Sequence, residues 1–86
     1  MEKIFYEDTH ILRFEATVIE CTPVSGLFHI VLDRTAFFPE EGGQLADTGT
    51  INGLSVIDVT IEKDIIYHHM NVPFETGTKV IGHVDW

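Results

Sequence analysis

Apolar and polar residues alternate with a period of two through most of this chain, and this constrains the fold more than any other feature. β-Branched residues are frequent in the alternating segments, as in half-buried strands. No stretch of ten or more residues has the apolar spacing of an amphipathic helix. The sequence therefore predicts an all-β protein. In each of three predicted strands, three residues are expected to share one face: Thr17, Ile19 and Cys21 in the first, Phe28, Ile30 and Leu32 in the second, and Ile57, Val59 and Ile61 in the third.

Turn signals separate these segments. Asn52-Gly53 is the strongest, since both residues tolerate the positive φ of a two-residue hairpin turn. Residues 23–26 and the pair Lys63-Asp64 predict two further turns. The strands expected between them lie near residues 14–22, 27–33, 55–62, 65–70 and 78–84. We expect a small closed or partly open antiparallel β-barrel of six to seven short strands, forming one domain over residues 1–86.

Composition limits the classes of partner. A chain of 86 residues buries only about 60–65% of its unfolded surface, so its core is thin. Five basic against fourteen acidic residues give a net charge of −9, which opposes binding to phosphate backbones. No apolar run reaches the roughly 20 residues of a membrane span, and no signal peptide is recognisable. The single cysteine, Cys21, is predicted to be a small buried hydrophobic residue and fits a cytoplasmic protein.

Histidine and carboxylate patterns predict no metal ligand and no catalytic residue within the chain. Zinc sites need a preorganised cluster of nitrogen or sulfur ligands. His68 and His69 are adjacent in a predicted strand, so they should point to opposite faces and cannot share one ion. A small hydrolase or metal protein that uses these two histidines is therefore the weakest hypothesis.

The longest irregular stretch runs from Thr35 to Gly49 and is the first place to look for a binding site. Gly42 and Gly43 let the backbone adopt positive φ and let a ligand approach closely. Gln44 offers both an amide donor and an acceptor, and Thr35 offers a hydroxyl. These four residues are the predicted substrate-binding group. Composition alone favours a simpler interpretation, a long turn in which the two glycines only serve geometry.

The same stretch resembles the signature of the alanyl-tRNA editing family, which includes the editing domain of alanyl-tRNA synthetases and related freestanding proteins. That signature is Asp-x-Thr-x-Phe-Tyr-Pro-Glu-x-Gly-Gly-Gln-x-x-Asp-x-Gly. The chain departs from it at Phe38, where tyrosine is usual, and so lacks one phenolic hydroxyl. Residues 14–18, 66–69 and 82–86 also resemble family segments, so the similarity spans nearly the whole chain. The matching positions are Asp33, Thr35, Phe37, Pro39, Glu40, Gly42, Gly43, Gln44, Asp47 and Gly49.

The resemblance implies that the chain is the N-terminal, translation-factor-like barrel of a zinc-dependent hydrolase that removes serine or glycine from mischarged alanine tRNA. In the family a His-x-x-x-His pair with a later Cys and His binds the metal, beyond the position of Trp86. No cofactor is therefore expected in this chain, and zinc is expected in the absent core. The isolated chain should neither deacylate nor appreciably bind mischarged tRNA.

The resemblance also assigns roles within the loop, which would form one side of the editing pocket. Thr35 would contact the serine hydroxyl or amine, and Gln44 would hold the ester or the terminal ribose. The residues expected to shape the loop are Asp33, Phe37, Pro39, Asp47 and Gly49.

Two alternatives remain open from the sequence. The barrel could be a non-catalytic scaffold or protein-interaction module, since this fold has many uses. The parent could be a full synthetase, although a match that begins near Met1 favours a freestanding editor. An exposed apolar patch around the loop and Trp86 is expected to make the isolated chain a homodimer.

Overall fold

The computed structural model describes residues 2–3, 13–40 and 45–85. These residues form eight strands and no helix, so none of them belongs to a helix long and apolar enough to cross a membrane. The strands are β1 (Glu2–Lys3), β2 (Arg13–Val24), β3 (Leu27–Leu32), β4 (Arg34–Thr35), β5 (Thr48–Ile51), β6 (Leu54–Glu62), β7 (Ile65–Met70) and β8 (Lys79–Asp85).

Six of the strands close into a barrel in the order β2-β3-β7-β6-β5-β8, with every neighbouring pair antiparallel. The predicted all-β antiparallel barrel is thus confirmed, and it is closed. The long strand β2 makes closure possible because residues 13–17 pair with β8 and residues 18–24 pair with β3. The two-residue strands β1 and β4 form a separate parallel pair that the sequence did not predict.

The three predicted hairpin turns are present. Asn52 and Gly53 have φ of 53° and 78°, and Ser25 and Gly26 have φ of 50° and 83°. Positive φ at both central residues matches the twist of the flanking strands, which is why glycine and asparagine are favoured there. Lys63 and Asp64 adopt φ of 50° and 67° without any glycine.

Two β-bulges change which residues face the core, and there the predicted alternation was wrong. The register shifts between Val18 and Glu20 in β2 and between Val56 and Asp58 in β6. A bulge inserts one unpaired residue and so reverses the inward and outward order beyond it. Ile57 is consequently 50% exposed, although it was predicted to share a face with buried Val59.

The bulge in β2 has the same effect on its neighbours. Ile19 is 49% exposed, whereas Val18 before it is fully buried. Cys21, beyond the bulge, is half-buried and packs against the core. Cys21 thus packs as an apolar residue, as predicted, but it is half-buried and not buried, and its expected alternation with Ile19 is wrong.

The core contains two rings that lie beside the predicted site. The rings of Phe14 and Phe37 meet edge to face at 5.8 Å. A Cβ at Gly82 would fall 2.4 Å from the Phe14 ring, so the absence of a side chain at Gly82 makes room for it. Because Phe37 is fully buried, the chain that follows β4 is fixed to the barrel at this ring. Burial of one such side chain stabilises the fold by about 1.5–3 kcal/mol.

Candidate functional site

The segment that follows β4 is tied to the barrel at its start. The Thr17 amide donates to Asp33 Oδ1 at 2.8 Å, and the Asp33 amide donates to the Thr17 carbonyl at 2.9 Å. This reciprocal pair joins the residue before β4 to strand β2. Residues 36–47, hereafter the 36–47 loop, therefore begin from a fixed point.

A second reciprocal pair closes the 36–47 loop on itself. The Phe38 amide donates to Asp47 Oδ2 at 2.9 Å, and the Asp47 amide donates to the Phe38 carbonyl at 3.0 Å. The Glu40 amide donates to the Val59 carbonyl at 2.9 Å, which attaches the loop to β6. Gly42, Gly43 and Gln44, three of the predicted substrate-binding residues, lie outside the described residues.

Close packing fixes the end of the loop. Pro39 is buried, and Phe38 is half-buried against the core. A Cβ at Gly49 would lie 2.0 Å from the His83 carbonyl oxygen and 3.0 Å from the Phe37 ring. No side chain fits there, so β5 can approach β8 only with glycine at this position. The five residues predicted to shape the loop thus occupy its two anchors and its packed base.

The fourth predicted substrate-binding residue, Thr35, points into the protein. It is fully buried, and its Oγ1 lies 2.8 Å from His68 Nε2. The same oxygen accepts the Phe37 amide at 3.1 Å. In this structure the Thr35 hydroxyl therefore faces no open pocket, and its contact with a substrate stays a prediction.

His68 is the residue of this site that the sequence did not single out for it. It is fully buried, its Nδ1 lies 2.9 Å from the Ile30 carbonyl oxygen, and its ring meets Phe37 edge to face at 5.5 Å. Burial lowers the pKa of His68 from 6.5 to about 4, with the nearby His69 acting in the same direction and the Ile30 carbonyl opposing it. The imidazole is therefore neutral at physiological pH. Period-two alternation places His68 on the same strand face as the apolar residues Ile66 and Met70. That pattern in the sequence could have predicted a buried His68.

His69 lies on the opposite face, as the strand geometry predicts. Its Nε2 lies 2.8 Å from Thr60 Oγ1, and its ring stacks on His29 at 4.0 Å. The pKa of His69 is lowered by partial burial and by His29, while Asp58 opposes the shift.

The described residues offer no fit for a metal ion. They contain no group of three or more His, Cys, Asp or Glu side chains placed to hold one. Both ring nitrogens of His68 are already engaged inside the chain, so neither presents a lone pair to an ion.

A shallow cleft of about 290 Å³ adjoins the start of the loop. Its lining carries charges of both signs, which is unlike the strongly acidic composition of the whole chain. The lining residues are Glu15, Ala16, Thr17, Asp33, Arg34 and Lys79.

Comparison with known proteins places this barrel in a family. The family model for class II (A) tRNA synthetases matches residues 3–86. The chain is 43% identical to the alanine–tRNA ligase of Methanocella arvoryzae over 98% of its own length, which is 9% of the ligase. It is 39% identical to the alanine–tRNA ligase of Ignicoccus hospitalis, with the same coverage of both chains.

A third relative is not a ligase by name. The chain is 38% identical to the alanyl-tRNA editing protein Aarsd1 of Mus musculus over 92% of this chain and 22% of that protein. The chain thus spans about a tenth to a fifth of the length of these relatives. On this evidence and on its closed barrel, the chain belongs to the class II (A) tRNA synthetase family, among the proteins related to alanyl-tRNA synthetase.

Proposed function

We propose that this barrel is one side of an aminoacyl-tRNA editing pocket whose reactive side is provided by another part of a longer protein. The observation that carries the proposal is the reciprocal pair of hydrogen bonds between Phe38 and Asp47, which closes the 36–47 loop at its base. A loop whose two ends are bonded to each other has fewer conformations, so its middle can be held in the one conformation that binds a ligand. A relative that carries the name of an alanyl-tRNA editing protein supports the same proposal.

The proposed reaction is hydrolysis of the ester that joins serine or glycine to alanine tRNA. A binding site that hydrogen-bonds a substrate hydroxyl can discriminate by about 10⁴–10⁵-fold against an analogue that lacks it. An apolar pocket excludes serine much less well, so a second, hydrolytic site is useful. Gln44 is proposed to hold the ester or the terminal ribose, on the basis of the sequence resemblance.

We assign Thr35 a supporting role in this proposal. Its hydroxyl is enclosed and bonded to Phe37 and His68, so it holds the start of the loop from inside. Direct contact between Thr35 and a substrate hydroxyl would require the loop to move away from the barrel.

The chain contributes shape to the pocket and leaves the chemistry to residues elsewhere. The zinc that the sequence resemblance implies is proposed to be held outside this chain, and no step is assigned to it. The net charge of −9 opposes contact with the tRNA backbone, so we propose that other parts of the longer protein bind it. An isolated barrel with these properties is expected to be inactive.

Deacylation assays test whether the barrel alone is inactive and the longer protein is active. Alanine tRNA mischarged with serine or with glycine is incubated with the chain alone and with the longer protein that contains it. We expect turnover only with the longer protein, and correctly charged alanyl-tRNA is the matched control substrate. Turnover by the metal-free chain alone would contradict the proposal. Equal activity of the longer protein with and without the barrel would instead support a scaffolding role.

A further inference from the structure

His68 connects the centre of the barrel to the 36–47 loop through an unbroken series of hydrogen bonds. Its ring bonds the Ile30 carbonyl of β3 on one side and the Thr35 hydroxyl of β4 on the other. The Thr35 oxygen then accepts the Phe37 amide, at the entrance of the loop. The series thus crosses from β3 through β7 to β4 and ends on the backbone of the loop.

The direction of every proton in this series follows from the chemistry of the groups. A carbonyl oxygen can only accept, so His68 Nδ1 carries the hydrogen that is donated to Ile30. In the neutral ring Nε2 is then an acceptor, and Thr35 must donate its hydroxyl hydrogen to it. With that hydrogen committed, the Thr35 oxygen can only accept, which is what the Phe37 amide requires.

We infer that His68 is a positioning residue of the proposed editing pocket: it acts through the Thr35 hydroxyl to fix the Phe37 backbone and so the conformation in which the 36–47 loop begins. This inference rests on the proposed function for its biological meaning, but its geometry can be tested without any catalytic assay. His68 touches no substrate in this scheme.

The chain contains its own matched control. His69 bonds Thr60 Oγ1 through Nε2 at 2.8 Å, the same distance at which His68 bonds Thr35. The side chains of the control pair lie on the outer face, are only partly buried, and bond each other. The β6 backbone at Thr60 pairs with Glu40 of the loop, a contact that Thr60→Val leaves in place because it changes only the side chain. A role that depends on any His–Thr bond would therefore appear at both pairs, whereas a positioning role appears only at His68.

The first experiment reads the proton positions in the wild-type chain by ¹⁵N NMR of the histidine rings. We expect the His68 Nδ1 signal in the protonated, pyrrole-like range and the Nε2 signal in the unprotonated range, unchanged between pH 5.5 and 8. A hydrogen on Nε2 of His68 would reverse the series and overturn the inference. This experiment needs no variant, so it stands even if a substitution prevents folding.

The second experiment measures amide hydrogen exchange in Thr35→Val, Thr35→Ser and the control Thr60→Val. Valine keeps the shape of threonine and removes the acceptor, so we expect the Phe37 amide to exchange about tenfold faster or more, relative to the buried Val18 amide. Thr35→Ser restores the hydroxyl and should restore protection, and Thr60→Val should leave Phe37 unchanged. Unchanged Phe37 protection in Thr35→Val would overturn the inference.

A double-mutant cycle shows whether His68 acts through Thr35. His68→Phe should expose Phe37 to exchange as Thr35→Val does, and the two changes together should have no larger effect than either alone. Additive effects would show that His68 acts by another route and would overturn the inference. If the exchange results hold while the longer protein lacks deacylation activity, the proposed function fails and the positioning role of His68 in the loop remains.

Discussion

The Thr35 hydroxyl and the His68 imidazole are bonded at 2.8 Å inside the barrel, although 33 residues separate them in the chain. Both side chains are fully buried, and each has a second partner, the Phe37 amide for Thr35 and the Ile30 carbonyl for His68. A buried polar group without a partner costs about 1–3 kcal/mol, so this pair is stable only because it is completely satisfied. Protonation of His68 would remove the acceptor at Nε2 that the Thr35 hydroxyl requires, so the pair is sensitive to acid.

Acid should destabilise the barrel through His68. Its pKa is lowered to about 4 in the folded protein, against 6.5 for an exposed histidine, so the unfolded chain binds the proton more tightly. The contribution of neutral His68 is fully present above pH 6.5 and is lost as the pH falls towards 4, by about 3 kcal/mol.

Urea unfolding of the wild type and of His68→Phe between pH 4 and 8 measures this effect. The free energy of unfolding should decrease more steeply with acid in the wild type, because carboxylate effects are common to both proteins. His69→Gln is the control and should retain most of the wild-type slope. Parallel curves for the wild type and His68→Phe would contradict the prediction.

Gly49→Ala should severely destabilise the fold, by about 4 kcal/mol or more, or prevent folding. The new Cβ would lie 2.0 Å from the His83 carbonyl, and the backbone of the β5–β8 pair cannot move away without loss of pairing.

Gly77→Ala is the matched control for this change. A Cβ at Gly77 meets nothing within 4 Å, and its φ of +93° should cost only about 1 kcal/mol. Thermal unfolding followed by circular dichroism compares the two variants. Similar melting temperatures would show that the predicted collision does not govern the Gly49 position.

Asp47→Ala should loosen the 36–47 loop while the barrel remains folded. The change removes the acceptor of the Phe38 amide, at a cost of about 1–2 kcal/mol, but leaves the barrel ladder intact. Hydrogen exchange should accelerate at Phe38 and remain unchanged at Val18.

In the longer protein, Asp47→Ala should lower the rate of deacylation of seryl-tRNA. Asp47→Asn keeps one acceptor oxygen, so it should retain more of the protection of the Phe38 amide and more of the deacylation activity than Asp47→Ala does. Full deacylation activity with a loosened loop would contradict the proposed contribution of the loop to the pocket.

The isolated chain is predicted to self-associate at the loop. Leu45 is 83% exposed, the highest fraction among the exposed large apolar side chains of the described residues. Leu45→Lys should shift the chain from dimer to monomer in light scattering coupled to size-exclusion chromatography. Ile57→Lys, a change at an exposed isoleucine on the β6 bulge, is the control and should leave the dimer intact. A wild-type monomer at high concentration would contradict the prediction.

Local sequence determined much of this fold. Asn52-Gly53 and residues 23–26 set hairpin turns because their backbones accept positive φ, and the predicted strand Ile65–Met70 has the bounds found in the structure. The placement of His68 and His69 on opposite faces follows from strand geometry alone. The motif around Asp33 and Asp47 was sufficient to recognise the family, since its spacing is written in the sequence.

Tertiary structure decided the rest, because those features depend on contacts between segments far apart in the chain. The bulges that expose Ile19 and Ile57 arise where one strand has an extra residue relative to its partner. The register between two strands depends on both of them, so the sequence of one segment does not specify it. Thr35 looked like a hydroxyl offered to a ligand, but closure of the barrel brings His68 beside it and gives the hydroxyl an internal partner. A polar residue beside a glycine-rich loop has the same sequence signature whether it faces solvent or the core, and only the packing of β7 against β4 distinguishes the two.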